Sequence, residues 1–304
     1  MKVTPASVTL LVVAALHDFC VAVPAKRDDS SIPTDIQILN FALTLEHLEN
    51  AFYTQGLQKY TQQDFLNADL PTWARGRWNE IAQHESTHVS FLESVIGEQA
   101  VQPCTYSFPD TDPISFVTTS FMLETVGVSA YSGAAQFLSQ SDYITSSGAI
   151  LAVEARQSAW INSAILKANP WNTAFDTPLD LNHVWTLASG VIVSCPSSNM
   201  PLPVKAFPAL SFPAGAQPGQ TVQVSFNATT VSSVPPQLYV AFIAGLGATF
   251  VPLSSQNTVE IPSTLQGVVF PIITSSSTAV TDDVTIAGPA FLSFHFNAAG
   301  EDEL

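Results

Sequence analysis

The chain has 304 residues and a formal net charge of −16; 46% of its residues are hydrophobic and 11% are charged. This length is typical of about two domains, and the apolar content favours a large folded core over disorder. The acidic excess argues against nucleic acid and anionic membrane surfaces as partners.

The first 22 residues are predicted to be a secretory signal peptide. Lys2 precedes an apolar run at residues 8–16, which is too short to span a bilayer. Small residues favour cleavage after Ala22, and residues 23–33, which contain a dibasic pair, are predicted to be a propeptide or linker. No later stretch is long and apolar enough for a membrane span, so we expect a protein secreted to the extracellular space or cell wall.

Three further features bear on the secretory pathway. Two cysteines, Cys104 and Cys195, remain after the leader, and an oxidising compartment favours one disulfide between them; two separate buried thiols are the alternative. Asn227 begins an Asn-Ala-Thr sequon, which predicts N-glycosylation. Residues 301–304 read Glu-Asp-Glu-Leu, so retention in the endoplasmic reticulum is an alternative localisation.

Residues 34–195 have the 3.6-residue apolar period of helices. Asp112 and Pro113 predict the N-cap and the first residue of the third helix. A loop is predicted at the Ser-Ser-Gly sequence of residues 146–148. The pattern predicts four long helices and then a fifth, at about 34–58, 72–97, 113–140, 147–168 and 179–193.

The composition changes after Cys195. Six prolines between residues 196 and 218 forbid long helices and predict a linker. Short β-rich runs then predict an all-β, sandwich-like domain at 219–304, with runs at 221–226, 237–243, 258–261, 267–273 and 290–296. The expected fold class is therefore α+β multidomain, with a helical bundle followed by the β domain.

Each of the four long helices carries one glutamate in the middle of its apolar stripe. At about 100° per residue, Glu46, Glu85, Glu124 and Glu154 fall among residues that face a core. An ionised carboxylate in a core is costly unless it is paired, protonated or bound to a metal. No lysine or arginine falls on these stripes close to its glutamate, so a metal cation is the expected counter-charge. Ordinary, partly solvated helix glutamates are the alternative.

The pattern repeats in two helical hairpins. The first and third helices each place a tyrosine seven residues after the glutamate, at Tyr53 and Tyr131, either to hydrogen-bond the ligands or to pack. The second and fourth helices place His88 and Gln157 three residues after the glutamate, on the same helix face. Glu49, one turn after the glutamate of the first helix, is expected to be solvated; membership of the site is the alternative.

Together these motifs resemble the ferritin-like di-iron carboxylate proteins and, more closely, the secreted ferritin-like domain proteins of fungi described as stress-response or desiccation-related. The stretches that carry the resemblance are 45–53, 84–88, 153–157 and Cys195-Pro196, within about residues 34–210. The resemblance implies a ferritin-like four-helix bundle that binds iron or manganese through Glu46, Glu85, His88, Glu124 and Glu154.

Gln157 departs from the family pattern, in which this position is a histidine. Glutamine is a neutral and weaker oxygen ligand, so the site is expected to have one weakened half, one metal ion or none. Two functions stay open. One is a metal-dependent oxidoreductase or metal-handling protein; the other is a non-catalytic extracellular stress or surface protein whose β domain binds the cell wall or another protein.

Overall fold

The computed structural model describes residues 33–227 and 237–301. The predicted signal peptide, residues 23–32, the sequon beyond Asn227 and residues 302–304 lie outside the described residues, so these predictions are not tested. In the part of the chain that the structure describes, no helix is both long enough and apolar enough to cross a bilayer.

The first described range contains a bundle of α-helices. Capping boxes begin α1, where Thr34 pairs with Gln37, and α4, where Asp112 pairs with Ser115 and Pro113 takes the first position. In the bundle, α1 packs on α3 and on α4, and α4 packs on α5. The helices are α1 Asp35–Lys59, α2 Gln62–Asn67, α3 Ala74–Ile96, α4 Pro113–Ala134, α5 Ser141–Trp160 and α6 Leu181–Ala188.

The helix boundaries differ from the predicted ones at three main places. The fifth predicted helix ends at Ala188, five residues earlier than predicted, because a 3₁₀ turn and the strand Ile192–Ser194 follow it. The fourth long helix starts at Ser141, so the predicted loop at 146–148 lies inside it; the Thr145 and Ser146 hydroxyls bond to carbonyls one turn earlier and fit the helix. The third long helix, α4, ends at Ala134, six residues earlier than predicted, and a short 3₁₀ turn follows. A π-helical turn, Ile161–Ile165, extends α5.

The predicted disulfide is confirmed: Cys104 is bonded to Cys195 across 91 residues of sequence. The bond lies beside a two-stranded antiparallel sheet in which Thr105 pairs with Ser194. It therefore ties the connection between α3 and α4 to the segment that leaves α6. Sequence reasoning missed these two strands because each is only two or three residues long.

The C-terminal region consists of small antiparallel sheets, as the predicted α+β class requires. The largest has the order β10-β9-β6-β7, and β11 pairs along the same edge of β9 as β10. Three strands of this region, β3, β7 and β10, have no counterpart among the predicted β-rich runs. The strands are β1 Thr105–Tyr106, β2 Ile192–Ser194, β3 Leu210–Ser211, β4 Thr221–Gln223, β5 Ser225–Phe226, β6 Tyr239–Ala244, β7 Gly247–Pro252, β8 Thr258–Glu260, β9 Gly267–Thr274, β10 Thr285–Ala287 and β11 Leu292–Phe294.

The central strands β6 and β9 of the large sheet are buried on both faces. On β6, Ala241 and Ile243 join the core of the helical bundle, whereas Val240 and Phe242 join a second core on the opposite face. This alternation follows from the two-residue period of a strand. The ring of Phe291 contacts Phe121 of α4 and Phe270 of β9, so the helices and the sheet share one apolar interior.

Gly133 allows the chain segment before α6 to cross α4 closely. A Cβ atom at Gly133 would lie 1.8 Å from the carbonyl oxygen of Leu179, which is backbone and cannot rotate away. We therefore expect Gly133→Ala to lower the free energy of unfolding by about 3 kcal/mol through overpacking, measured by urea denaturation.

Gly148→Ala is the matched control for this substitution. Gly148 is exposed within α5, and no atom lies within 4 Å of the position that a Cβ atom would take there. Alanine there should stabilise the protein by about 0.5 to 1 kcal/mol, because glycine has the greater conformational freedom in the unfolded chain. Equal effects of the two substitutions would contradict the close crossing at Gly133.

Candidate metal centre

The four glutamates picked out in the sequence lie inside the bundle, one on each long helix. Glu46 on α1, Glu85 on α3 and Glu154 on α5 are fully buried, and Glu124 on α4 is 1% exposed. They belong to the apolar stripes that pack the four helices together. The alternative of solvated helix glutamates is therefore excluded for all four.

Four donor groups converge at one point of the interior. One ligand atom each of Glu46, Glu85, His88 and Glu154 lies within 4.8 Å of all the others. His88 sits between two of the carboxylates, with its Nδ1 atom 3.1 Å from Glu85 Oε2 and 3.3 Å from Glu46 Oε2. Glu124 is not part of this group of four.

The two tyrosines hold carboxylates across the bundle. Tyr53 of α1 donates a hydrogen bond to Glu124 Oε1 of α4. Reciprocally, Tyr131 of α4 donates to Glu46 Oε1 of α1 at 2.5 Å. Both phenols are buried, and burial raises the pKa of each well above its ordinary value, so both keep the proton that they donate. The internal repeat read in the sequence thus corresponds to two equivalent hydrogen bonds.

Glu49 is buried, so the expectation that it is solvated is wrong. It is only 4% exposed, because α6 covers this side of α1 and α4 and Ala188 lies beside it. Gly127 of α4 makes room here: a Cβ atom there would lie 2.5 Å from Glu154 Oε2 and 3.1 Å from Glu49 Oε1. Glu49 follows Glu46 by three residues, as His88 follows Glu85. This spacing was the sequence signal that Glu49 lies on the same helix face as the cluster.

The cluster has far more negative than positive charge available. Burial, followed by repulsion between neighbouring carboxylates, raises the pKa of Glu49, Glu124 and Glu154 well above the usual range. Burial also raises the pKa of Glu85 to about 7.

The pKa of His88 is shifted by burial and, in the opposite direction, by its carboxylate neighbours. Burial by itself lowers the pKa of this imidazole, but its contacts with Glu46 and Glu85 outweigh burial and raise the pKa to about 10. Five buried carboxyl groups therefore surround a single imidazolium, and no lysine or arginine of the described residues pairs with them.

Several oxygen atoms in the cluster have no hydrogen-bond donor within the described structure. These atoms are Glu124 Oε2, both carboxylate oxygens of Glu154 and Gln157 Oε1, whereas Glu46 Oε2 has only the 3.3 Å contact with His88 Nδ1. Buried oxygen atoms without a partner are rare in native proteins because desolvation costs about 1 to 3 kcal/mol each, and more for charged groups. Carboxylate oxygen atoms beside one imidazole form a donor set that can hold a metal ion.

Gln157 presents its amide nitrogen to the cluster. Nε2 donates to Glu85 Oε1 at 3.3 Å and lies 3.1 Å from Nδ1 of His84, which is exposed on α3. The position equivalent to His88 in the second hairpin is thus occupied by a buried amide that bridges a carboxylate and a surface imidazole. The sequence did not predict this contact.

An antiparallel helical bundle with one glutamate per helix around a common point defines the ferritin-like class of proteins. In agreement, residues 34–167 match the family model described as "Ferritin-like domain". The helical region of this chain therefore contains a ferritin-like domain, as the sequence motifs predicted.

One curated relative is protein rds1 of Schizosaccharomyces pombe. It is 25% identical over 268 aligned residues, which cover 72% of this chain and 65% of the relative. The chain thus spans about 65% of the length of the relative that it matches.

Proposed function

We propose that the ferritin-like domain binds one or two iron or manganese ions and uses them in oxidative chemistry or metal handling. The observation that carries this proposal is the convergence of Glu46, Glu85, His88 and Glu154 within 4.8 Å, beside oxygen atoms that have no donor. A divalent or trivalent cation would neutralise the carboxylates and use these oxygen atoms as ligands.

The residues of the cluster have distinct tasks in this proposal. Glu46, Glu85, His88 and Glu154 hold the first ion, and Glu124, with Glu49 beside Glu154, is available to a second. His88 releases its proton when it becomes a ligand, because only the neutral imidazole nitrogen can coordinate. Tyr53 and Tyr131 fix the orientation of Glu124 and Glu46. When bound, iron or manganese supplies redox chemistry with dioxygen or peroxide.

Metal analysis tests the proposal. The protein is purified without chelator, loaded with iron(II) or manganese(II), desalted and analysed by mass spectrometry of the elements. We expect about one to two ions per chain and loss of binding in the variant with Glu85→Ala and Glu124→Ala. Less than about 0.2 ion per chain, or unchanged binding in the double variant, would refute the proposal.

Gln157→His is expected to complete the second half of the site. A histidine there reproduces the spacing of Glu85 and His88 in the other hairpin, so the metal content should rise from about one to about two ions per chain. Gln83→His, which adds a histidine to the exposed face of α3, is the control. An equal metal content in both variants would show that position 157 does not limit occupancy.

We also propose that the protein works outside the cell, in a stress response. The leader pattern of residues 1–22 supports secretion, as does the Cys104–Cys195 disulfide, because disulfides persist in oxidising compartments. Retention in the endoplasmic reticulum through residues 301–304 is the alternative. Recovery of the chain from culture medium, with an N-terminus near residue 23 or 28, supports secretion, and full retention inside the cell contradicts it.

A second candidate function rests on Gln157. Since its amide nitrogen, rather than a ligand atom, faces Glu85, the bundle would be a scaffold with an inactive site and the β region would bind wall material or a protein. Metal content separates the two accounts. Wild-type protein that takes up no metal, yet still binds cell-wall preparations, would favour this second function.

A further inference from the structure

A solvent-facing cleft of about 170 Å³ lies between α3 and α5. Its walls come from both helices and include His84 of α3 and Val153 of α5. The α4 side of the bundle is covered: most of α4 is buried, with α6 packed against it and Phe121 in contact with Phe291 of the β region. The cleft therefore opens on the side of the bundle that the second layer leaves uncovered.

The cleft ends at the carboxylate cluster. Gln157 forms part of its lining and is 6% exposed, and its Nε2 atom donates to Glu85 Oε1 on the inner side. On the outer side the same amide contacts the exposed ring of His84. One side chain thus separates solvent in the cleft from a carboxylate of the proposed metal centre.

The lining of this cleft has a net positive charge in an acidic protein, because two arginines face the single carboxylate of Glu80. The described ranges contain six lysine and arginine residues, and two of them, Arg77 and Arg156, line the cleft. Arg77 is paired with Glu80 at 2.6 Å, whereas Arg156 makes no ion pair with a described residue. Because the chain carries a net charge of −16, positive potential here is local, and it favours anions over metal cations.

We propose that the α3–α5 cleft binds a small inorganic anion and admits it to the metal centre when the side chain of Gln157 turns aside. The inference rests on the proposed function, since the anion's destination is the bound metal. The volume holds an anion of a few atoms together with water, each water occupying about 30 Å³ in the liquid. Arg156 and Arg77 attract the anion, and the amide of Gln157 closes the inner end.

Azide is a suitable probe, because its binding to iron(III) gives a visible charge-transfer absorption. The protein is loaded with iron, oxidised and titrated with azide at neutral pH. The variant with Arg77→Gln and Arg156→Gln should bind azide at least about fivefold more weakly at unchanged metal content. Lys205→Gln removes one positive charge far from the cleft and should leave azide affinity unchanged.

Stopped-flow absorbance tests the role of Gln157. In Gln157→Ala we expect azide to associate at least about fivefold faster, because the inner end of the cleft is open. His84→Trp, which narrows the mouth, should slow association by a similar factor.

The outcomes separate the two proposals. Wild-type protein without metal would overturn the proposed function and this inference with it. Metal-loaded protein whose azide affinity and association rate are the same in the arginine, Gln157 and His84 variants as in Lys205→Gln would overturn the cleft alone.

Discussion

Exchange of Cys104 and Cys195 for serine is expected to lower the free energy of unfolding by about 4 to 5 kcal/mol. The bond closes a loop of 91 residues that contains α4, α5 and α6, and the loss of chain entropy on cross-linking grows with loop length. Without it, the unfolded chain gains conformations while the folded state keeps the strand pairing of Thr105 with Ser194.

Urea denaturation of the oxidised wild type and the double serine variant measures this effect. Wild-type protein reduced and held under reductant is the control, since it loses the bond without a change of sequence and should match the variant. If the free energies of unfolding of the oxidised wild type and the variant differ by less than about 1 kcal/mol, the disulfide is not a main source of stability.

Glu154→Gln is expected to change stability in opposite directions with and without metal. Both oxygen atoms of Glu154 lack a donor, and burial, followed by the charge of Glu49, raises the pKa of its carboxyl group. The metal-free protein therefore loses stability as pH rises from the unfolded-state value of 4.5 through the raised pKa. Glutamine cannot ionise, so at pH 8 the metal-free variant should gain about 1 to 3 kcal/mol.

The same substitution removes a proposed ligand. We expect metal affinity to fall at least about 100-fold, which corresponds to about 3 kcal/mol. Urea denaturation at pH 8, once with chelator and once with metal, measures the change in the free energy of unfolding in each state. Glu98→Gln, at an exposed position, is the control. Equal destabilisation of the metal-free and metal-loaded variant would point to a packing defect and against a metal ligand.

The sequence was sufficient to predict the helical bundle and its buried glutamates. Glu46, Glu85, Glu124 and Glu154 interrupt apolar stripes, and a stripe on each of four helices specifies which face meets the others. Asp112 and Pro113 likewise mark a helix start through their own backbone chemistry. These signals are local, so they can be read without knowledge of the fold.

The remaining features depend on contacts that are distant in sequence. Glu49 reads as a surface residue on α1, but α6, more than 130 residues later, covers it. The direction of the Gln157 amide depends on Glu85 and His84 of another helix. The strand Gly267–Thr274 was predicted from its apolar run, yet its burial on both faces depends on the bundle on one side and a second core on the other.

The interior shared by helices and sheet makes each region depend on the other for solubility. A fragment ending after α6 would leave Phe121 without Phe291, and an isolated sheet would expose Ala241, Ile243 and Phe270 to water. Exposed contiguous apolar surface promotes association between chains. Truncation experiments that assign a function to either region alone would therefore measure an aggregating fragment, so the function of each region has to be dissected by point substitutions in the intact chain.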